Sequence, residues 1–494
     1  MTSPQLLYGV AQVRALDAHA IEHGTDGYTL MKRAGEAALR ALRSRWPRAA
    51  SLIIVTGGGN NGGDGYVLAR FARAAGLEVT VLAVVPGDEL EGDAARACGE
   101  FQGSGGQVLP YAPARLSSAE VVVDALLGTG LNAVVRSTFA QVIRDINASG
   151  QPVFALDVPS GLNGDSGAVM GAAVRADCTL SFVALKTGLF LNAGPEHAGR
   201  LLFDDLGVSA PDEGRFRPVL ERLSEADVLR ALPPRQRAAN KGNFGRVLIV
   251  GGGAGMPGAV RLAGEACLRA GAGLVMVATW PENLAAIVGG RPELIVHGVG
   301  TAAELAALLS AADVVAVGPG LGRTDWARAM LQRSLAADRP LVLDADALNL
   351  LAESHQRAPA AAVLTPHPGE AGRLLGITAA AVQADRLAAL GALTAAHPGA
   401  IIVLKGAGTL IGRLEPTAAI CEYGNPGMAA AGMGDVLTGA IAGILAQCRD
   451  PWLAARAGVV AHALAGDELA RDRQRGILAL ELAETLSHWV NLRR

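Results

Sequence analysis

Two stretches of this chain run straight from an apolar segment into clustered glycines: SLIIVTGGG at 51–59 and GRVLIVGGGAG at 245–255. A short, continuous, β-branched apolar run bounded by glycines reads as a strand buried on both faces. Further strand-and-loop phrases follow each of the two, separated by stretches of helical periodicity. Strands alternating with helices predict mostly parallel sheets covered on both sides, an α/β fold of three layers in each half.

In the first half, helical periodicity over 11–45 ends before Pro47. After the strand that runs into a glycine loop at 51–59 a helix is expected from about Asp64 to Ala75, then a strand at 77–85, a strand plus loop at 121–131, a helix at 137–148 and a second strand-to-loop stretch at 153–167, with 178–189 and 200–208 closing the unit. Residues 209–245 are rich in Pro, Arg and Gly around a short helical stretch near 224–231, which marks the boundary between halves. The domains are therefore expected at 1–215 and 225–494. The second half continues with strand–loop units at 312–322, 340–349, 361–370 and 400–412, then helices at 432–446, 452–470 and 477–490. The flanks of the two halves differ, so they are not an internal repeat.

Composition excludes several classes. At roughly 100–200 residues per domain, 494 residues make about two to four domains. Lys and Arg number 43 against 46 Asp and Glu, and aromatics are only 4%. That is neither a generally cationic nor a base-stacking surface, so no nucleic-acid partner is expected. With 50% hydrophobic and 18% charged residues the chain is not disordered. No apolar run reaches the roughly 18–20 residues of a membrane span, and the start, MTSPQLLYGVAQVRALD, is no secretory signal. The five cysteines form no C-x-x-C and read as reduced thiols of a cytoplasmic protein.

Three loops of the first half follow strands: GGGNNGGDG (57–65), DALLGTGL (124–131) and LDVPSGLNGDSG (156–167). In an open parallel sheet ligands bind at the carboxyl ends of the strands, so these loops should line one crevice in which backbone N–H groups and a helix N-terminus hold phosphate. Asn61, Asp124 and Ser160 offer one carboxylate and two neutral oxygens, a set suited to a monovalent ion; local turn capping is the other reading. Asp157, at the end of strand VFAL, is a candidate for proton transfer or a turn cap. Lys186 either points its charge into the crevice beside it or snorkels at a sheet edge.

In the second half, GNPGMAAAGMGDVLTG (424–439) carries Asp435 on a glycine loop that opens an apolar helix. A carboxylate there can take a hydroxyl proton while helix dipoles hold a developing phosphoryl charge; as an N-cap it would only finish the helix. KGAGT (405–409) can hold nucleotide phosphate through Lys405 and backbone groups. In HPGE (367–370), Glu370 can hold magnesium through its waters or cap the helix, while His367 has no second ligand at metal spacing. No GxxxxGK[ST] is present.

Together these phrases, with FVALKTGL, NKGNFGRVLIVGG (240–252), GMPGA (255–259), GPGLG (318–322), LDADALN (343–349) and TPHPGE (365–370), resemble the bifunctional NAD(P)H-hydrate repair enzymes. In that family an epimerase domain precedes an ADP/ATP-dependent dehydratase domain. The resemblance implies a Rossmann-like domain at 1–215 and a ribokinase-like domain at 225–494. It implies hydrate binding by Asn60, Asn61, Gly62, Gly63, Asp64, Gly128, Thr129, Gly130, Leu131, Asn132, Ala133, Val134 and Asp157 in the epimerase, with potassium held by Asn61, Asp124 and Ser160. In the dehydratase it implies hydrate contacts from Ala259, Gly320, His367 and Asp435. Nucleotide contacts would come from Lys405, Gly406, Ala407, Gly408, Thr409 and Gly434. Asp157, Asp435 and Lys186 become the catalytic candidates.

The implied activity repairs hydrated NADH and NADPH (NADHX and NADPHX). The first domain interconverts the R and S hydrates. The second dehydrates the S hydrate with ADP or ATP, giving AMP or ADP and phosphate, with K+ and Mg2+ as ions and a homo-oligomer expected. The epimerase-first order of bacterial-style fusions favours ADP. The rival reading is a ribokinase-like kinase of a vitamin precursor alcohol fused to a non-catalytic nucleotide-binding module. Where relatives usually carry two glycines, this chain has Ala431 before Gly432; a positive φ at 431 would strain the loop by about 1–2 kcal/mol.

Overall fold

The computed structural model describes residues 6–131, 133–211, 214–414 and 417–492. The chain forms two compact units that divide between Leu220 and Glu221.

In the first unit seven strands lie in the order Gln107–Pro110, Glu78–Ala83, Ser51–Thr56, Val121–Ala125, Val153–Leu156, Cys178–Phe182, Arg200–Asp204. Every neighbouring pair is parallel. Because side chains alternate along a strand, Leu52 and Ile54 join one core with the helices Val10–Glu22, Gly27–Arg45, Asn60–Ala74 and Gly92–Gly103. Ile53 and Val55 join the core on the opposite face with the helix Ser137–Ala148. The strand order reverses between Ser51–Thr56 and Val121–Ala125, so the loops after these two strands splay apart and open a crevice.

The second unit repeats the principle. Its strands follow the order Ile295–Gly298, Leu274–Thr279, Arg246–Val250, Val314–Val317, Leu341–Leu343, Val363–Leu364, Ile401–Leu404, Thr409–Gly412, Ala418–Cys421. The first seven are parallel and the last two pair antiparallel. The reversal falls between Arg246–Val250 and Val314–Val317. One face is covered by the helices Pro257–Arg269, Met433–Cys448, Pro451–Ala470 and Ala479–Trp489. Gly439 lets two of them touch: a Cβ there would lie 2.0 Å from the Ala263 carbonyl oxygen.

Three expectations are corrected. Residues 11–45 form two helices, Val10–Glu22 and Gly27–Arg45, broken where Gly24 takes φ +98°. The helix expected from Asp64 begins at Asn60, so two thirds of GGGNNGGDG is helix; glycines that look like loop in sequence are there for contact, since a Cβ on Gly62 would lie 2.2 Å from the Gly57 carbonyl oxygen. The stretch 400–412 is a hairpin of two strands around the KGAG turn.

Candidate active sites

The crevice of the first unit is a cavity of about 610 Å³. It brings together Asn60, Asn61, Asp64, Gly128, Thr129, Gly130, Leu131, Asp157 and Lys186 from the expected set, and adds Asp17 from the first helix. Gly62 and Gly63 lie behind it in the packing of the helix. Ala133 and Val134 are not among the lining residues, and Val134 is exposed. Asn132 lies outside the described residues.

Lys186 is 1% exposed, so it does not snorkel. It donates to the Asp157 carboxylate, to the Phe182 carbonyl at 2.7 Å and to Ser181 Oγ at 3.3 Å. Asp157 holds φ +65° where the chain leaves its strand, and its Oδ1 also accepts from the Phe182 N–H at 3.2 Å. A non-glycine residue in the left-handed region is uncommon and gathers at functional sites. Three more carboxyls, Asp17, Asp64 and Asp93, share the cavity, which Arg14 also lines. Burial holds Asp64 well above the usual carboxylate range; the Asp157 and Asp17 charges add to this and Lys186 opposes it. Burial likewise pushes Asp17 up to about 6, with Lys186 opposing and Asp157 adding. Asp157 is thus matched by an ammonium, while Asp64 favours its proton.

Behind the loops, Asn61, Asp124 and Ser160 meet around Leu127. Asn61 Nδ2 donates to the Leu127 carbonyl at 3.0 Å, and Ser160 Oγ accepts from the Leu127 N–H at 2.7 Å. Asp124 accepts from Ser160 N at 2.8 Å, Ser160 Oγ at 2.6 Å and Leu126 N at 3.2 Å. Burial still pushes Asp124 up to about 6 against these bonds. Asn61 Oδ1 is buried with no donor facing it. An orphaned amide oxygen beside a buried carboxylate is the donor set a monovalent cation satisfies.

In the second unit Asp435 sits in the first turn of the helix Met433–Cys448. It is not the N-cap: Gly432 takes that position at φ +87°. Ala431 is not among the residues at positive φ, so the strain expected of it does not arise. Asp344 completes the centre. Its carboxylate receives Lys405 Nζ at 2.8 Å, Thr365 Oγ1 at 2.7 Å and Thr438 Oγ1 at 2.7 Å. Burial alone would raise it, but Lys405 and the two hydroxyls hold it below the usual range. Asp435 has no such match. Burial, then the Asp344 charge, pushes it up to about 7, with Lys405 opposing. A half-buried carboxylate near 7 in the first turn of a helix is suited to general-base work.

Glu370 caps the helix Pro368–Leu375, accepting from His367 N at 2.8 Å, and lies 3.8 Å from Lys405 Nζ. Burial pushes it up to about 7, chiefly against the pull of Lys405. Its other oxygen lies 3.4 Å from His367 Nε2 and is the one that can accept from the water shell of a magnesium ion. His367 Nδ1 accepts from Gly369 N at 2.9 Å, so it serves the helix cap. Gly434 adjoins Lys405, since a Cβ there would lie 3.4 Å from Nζ. Ala259 and Gly320 meet at the strand-order reversal, 3.0 Å apart were Gly320 given a Cβ.

Beneath 405–409 lies Arg386, 3% exposed. It donates to the carbonyls of Ala407 at 2.6 Å and Leu404 at 3.0 Å. Gly406 at φ +147° and Gly408 at φ +67° shape the turn above it, and Thr409 Oγ1 closes the turn on the Gly406 carbonyl at 3.1 Å. Asp17, Asp344 and Arg386 are absent from the sequence-derived set. For Asp344 a signal existed: LVLD ends a strand in a carboxylate just as VFALD does at Asp157. Asp17 and Arg386 lie on helices, and only packing brings them to the sites.

Two α/β units, each with ionisable groups gathered at the carboxyl ends of its parallel strands, define a two-domain α/β enzyme with a Rossmann-like first unit and a ribokinase-like second one. Known proteins give the class its family. The family described as YjeF-related protein N-terminus matches residues 27–188, and the one described as NAD(P)H-hydrate dehydratase matches 247–488. The bifunctional NAD(P)H-hydrate repair enzyme of Coxiella burnetii is 48% identical over 98% of this chain and 99% of its own. Among solved structures, a ribokinase-like superfamily protein of Enterococcus faecalis is 32% identical with a TM-score of 0.52, covering 56% of this chain and 98% of that one. The ADP/ATP-dependent NAD(P)H-hydrate dehydratase of Bacillus subtilis, co-crystallised with ATP and Mg2+, is 31% identical with a TM-score of 0.50, covering 54% of this chain and 96% of that one. The chain belongs to the bifunctional NAD(P)H-hydrate repair enzymes, uniting NAD(P)H-hydrate epimerase and dehydratase. No helix among the described residues is long and apolar enough to cross a membrane.

Proposed function

We propose that residues 1–215 interconvert the R and S hydrates of NADH and NADPH, and that residues 225–494 dehydrate the S hydrate with ADP or ATP. The observation that carries this is Asp435: a carboxylate with its pKa near 7 at a helix N-terminus, beside a lysine already satisfied by Asp344. The hydrate bears a hydroxyl on carbon 6 of the nicotinamide ring, and hydroxide is a poor leaving group. Asp435 takes the hydroxyl proton as the oxygen attacks the terminal phosphoryl group of the nucleotide. The 405–409 turn, with Lys405 and the amides at Gly434, holds the phosphates. The ring nitrogen lone pair then expels phosphate, and loss of the ring proton restores NAD(P)H. ADP gives AMP and ATP gives ADP. Glu370 would hold a magnesium ion through its water shell, and the bound ion would supply positive charge to the phosphates.

In the first domain, Asp64 is the group holding a proton and Asp157 the group matched by Lys186. Asp64 gives its proton to the departing hydroxyl, which leaves as water while the ring nitrogen lone pair forms the C=N bond. Water adds to the opposite face and passes its proton to Asp157. Two carboxyls in unlike surroundings, one raised by burial and one paired with a lysine, divide acid and base work in this way. Asn61, Asp124 and Ser160 would hold a potassium ion, which would supply positive charge beside the buried Asp124 carboxylate.

The test mixes both hydrate isomers with the protein, K+, Mg2+ and ADP or ATP. Reduced-nicotinamide absorbance should return with one phosphate released per dinucleotide. Accumulation of a stable phosphorylated product would instead make the second domain a kinase.

A further inference from the structure

On the first helix, Val10–Glu22, and its C-cap stand His19, Glu22 and His23. The spacing i, i+3, i+4 puts all three on one side of the last turn. One ligand atom from each lies within 4.8 Å of the other two, and the imidazole centroids are 3.9 Å apart. Val13, Asp17 and Ile21 of the same helix line the cavity, whereas none of these three does. Neither reaction above uses them.

The cluster is prepared for a cation in three ways. First, His23 Nδ1 lies 2.8 Å from the His19 carbonyl oxygen. A carbonyl only accepts, so Nδ1 carries the proton and Nε2 keeps its lone pair. Fixing one ring nitrogen on a carbonyl is how outer-shell groups orient metal-binding imidazoles. Second, the ligands stand at the helix C-terminus, where the aligned peptide dipoles favour positive charge. Third, the turn beneath is closed: Gly24 N donates to the Ile21 carbonyl at 3.2 Å and Thr25 N to the Ala20 carbonyl at 3.0 Å. The Phe216 ring braces His19 edge-on at 5.1 Å. Glu22 and His23 are exposed, so an ion enters directly from solvent.

We propose that His19, Glu22 and His23 form a surface site for a divalent transition-metal ion of borderline softness, with zinc(II) the probe. Two imidazoles and one carboxylate suit zinc, nickel or copper; magnesium and calcium want an all-oxygen shell. Three protein ligands leave a position for water. Bound metal ties the last turn of the helix to the Gly24–Thr25 turn that leads into the helix Gly27–Arg45, whose Gly27 and Leu30 line the cavity.

The experiment uses the untagged full-length chain and competes zinc against a chromophoric chelator at pH 7.5. One saturable site per chain is expected. His19→Ala and His23→Ala should abolish it, and Glu22→Gln should weaken it roughly tenfold, within the usual span for loss of a supporting group. Millimolar magnesium should not compete, since it wants an all-oxygen shell. Zinc should also slow hydrogen exchange at the Gly24 and Thr25 amides in the wild type but not in His23→Ala. Absence of a saturable site overturns the proposal. So does zinc binding undiminished in the His19→Ala/His23→Ala variant, which would place the ion elsewhere, for instance on the Cys448 thiol.

Discussion

Lys405 gives its ammonium to Asp344, with Nζ 2.8 Å from Oδ1, and so leaves Asp435 without a matching charge. This division should set the pH behaviour of the dehydratase. As the proposed general base Asp435 would work only when ionised, so kcat/KM should rise with pH to about 7 and then level off. The Asp344 charge is the second cause of the high value, after burial. Asp344→Asn should therefore move the rising limb to lower pH, even as the loss of a buried pairing lowers turnover. A pH profile of kcat/KM in both proteins decides this; an unmoved limb would break the link between the two carboxyls.

Asp435→Asn should cut dehydratase turnover by roughly 10²–10⁴-fold, the usual worth of a positioned general base. Nucleotide affinity should change little, because the amides and Lys405 remain. Stability should move the other way. The folded pKa, about 7, lies above the ordinary 3.8, so the folded state holds the proton more tightly. The resulting penalty is absent below about pH 4, grows between the two values and is complete above 7. Asparagine removes it, so the variant should melt higher than the wild type at pH 8. Calorimetry beside nucleotide titration separates a lost base from a damaged fold.

The strands and glycine loops were legible because both leave local marks: β-branched runs for buried strands, and glycines where the backbone must turn or touch. Asp157, Lys186, Asp435 and Lys405 were legible as ionisable residues at strand ends or helix starts. What the sequence withheld was pairing. Whether Lys186 reached Asp157 or water depended on a strand, Leu185–Lys186, only two residues long, aligned beside Leu6–Tyr8. Whether Lys405 faced Asp344 or Asp435 depended on three chain segments meeting across the sheet. Asp17 gave no sign, because one aspartate in a helix looks like any solvated charge until the cavity beside it is seen.

Potassium should stabilise the first domain in a way set by Asp124. A cation there would compensate a carboxylate that burial pushes up to about 6. Its effect should therefore be full above pH 7 and fade below about 6 as the carboxyl protonates. At ten times Kd the gain is about 1.4 kcal/mol. Thermal melts in potassium chloride and in tetramethylammonium chloride, for the wild type and Asn61→Ala, measure it. Equal melting temperatures in the two salts for the wild type would remove the ion from this site.

Asp64→Asn should slow isomer exchange without disturbing the dehydratase. The asparagine keeps the volume of the side chain but has no acidic proton to give the departing hydroxyl. It also leaves the Asp157–Lys186 pair in place. Epimerase rate against pH is the decisive readout. If Asp64 is the acid, the wild type loses rate at high pH as that carboxyl ionises, and the variant is slow and loses this dependence. A variant that keeps the high-pH fall has its acid elsewhere, with Asp17 the nearest choice.

Asp157→Ala should stop acceleration of isomer exchange while the dehydratase still consumes its own isomer. The carboxylate lies at the end of its strand, tied to Lys186 and to the Phe182 N–H, and faces the cavity lined by Asp64 and the Gly128–Leu131 loop. Its loss should cost roughly 10²–10⁴-fold in the epimerase, as for a general base. Lys186 would be left buried without its carboxylate, so Asp157→Asn should accompany it to separate lost chemistry from lost packing. On mixed isomers with ADP, the wild type should give one phase when exchange is fast. Either variant should give two: rapid recovery of NAD(P)H from the S hydrate, then slow recovery at the uncatalysed exchange rate. A single fast phase from Asp157→Ala, at enzyme levels where uncatalysed exchange is negligible, would take the proton transfer away from this residue.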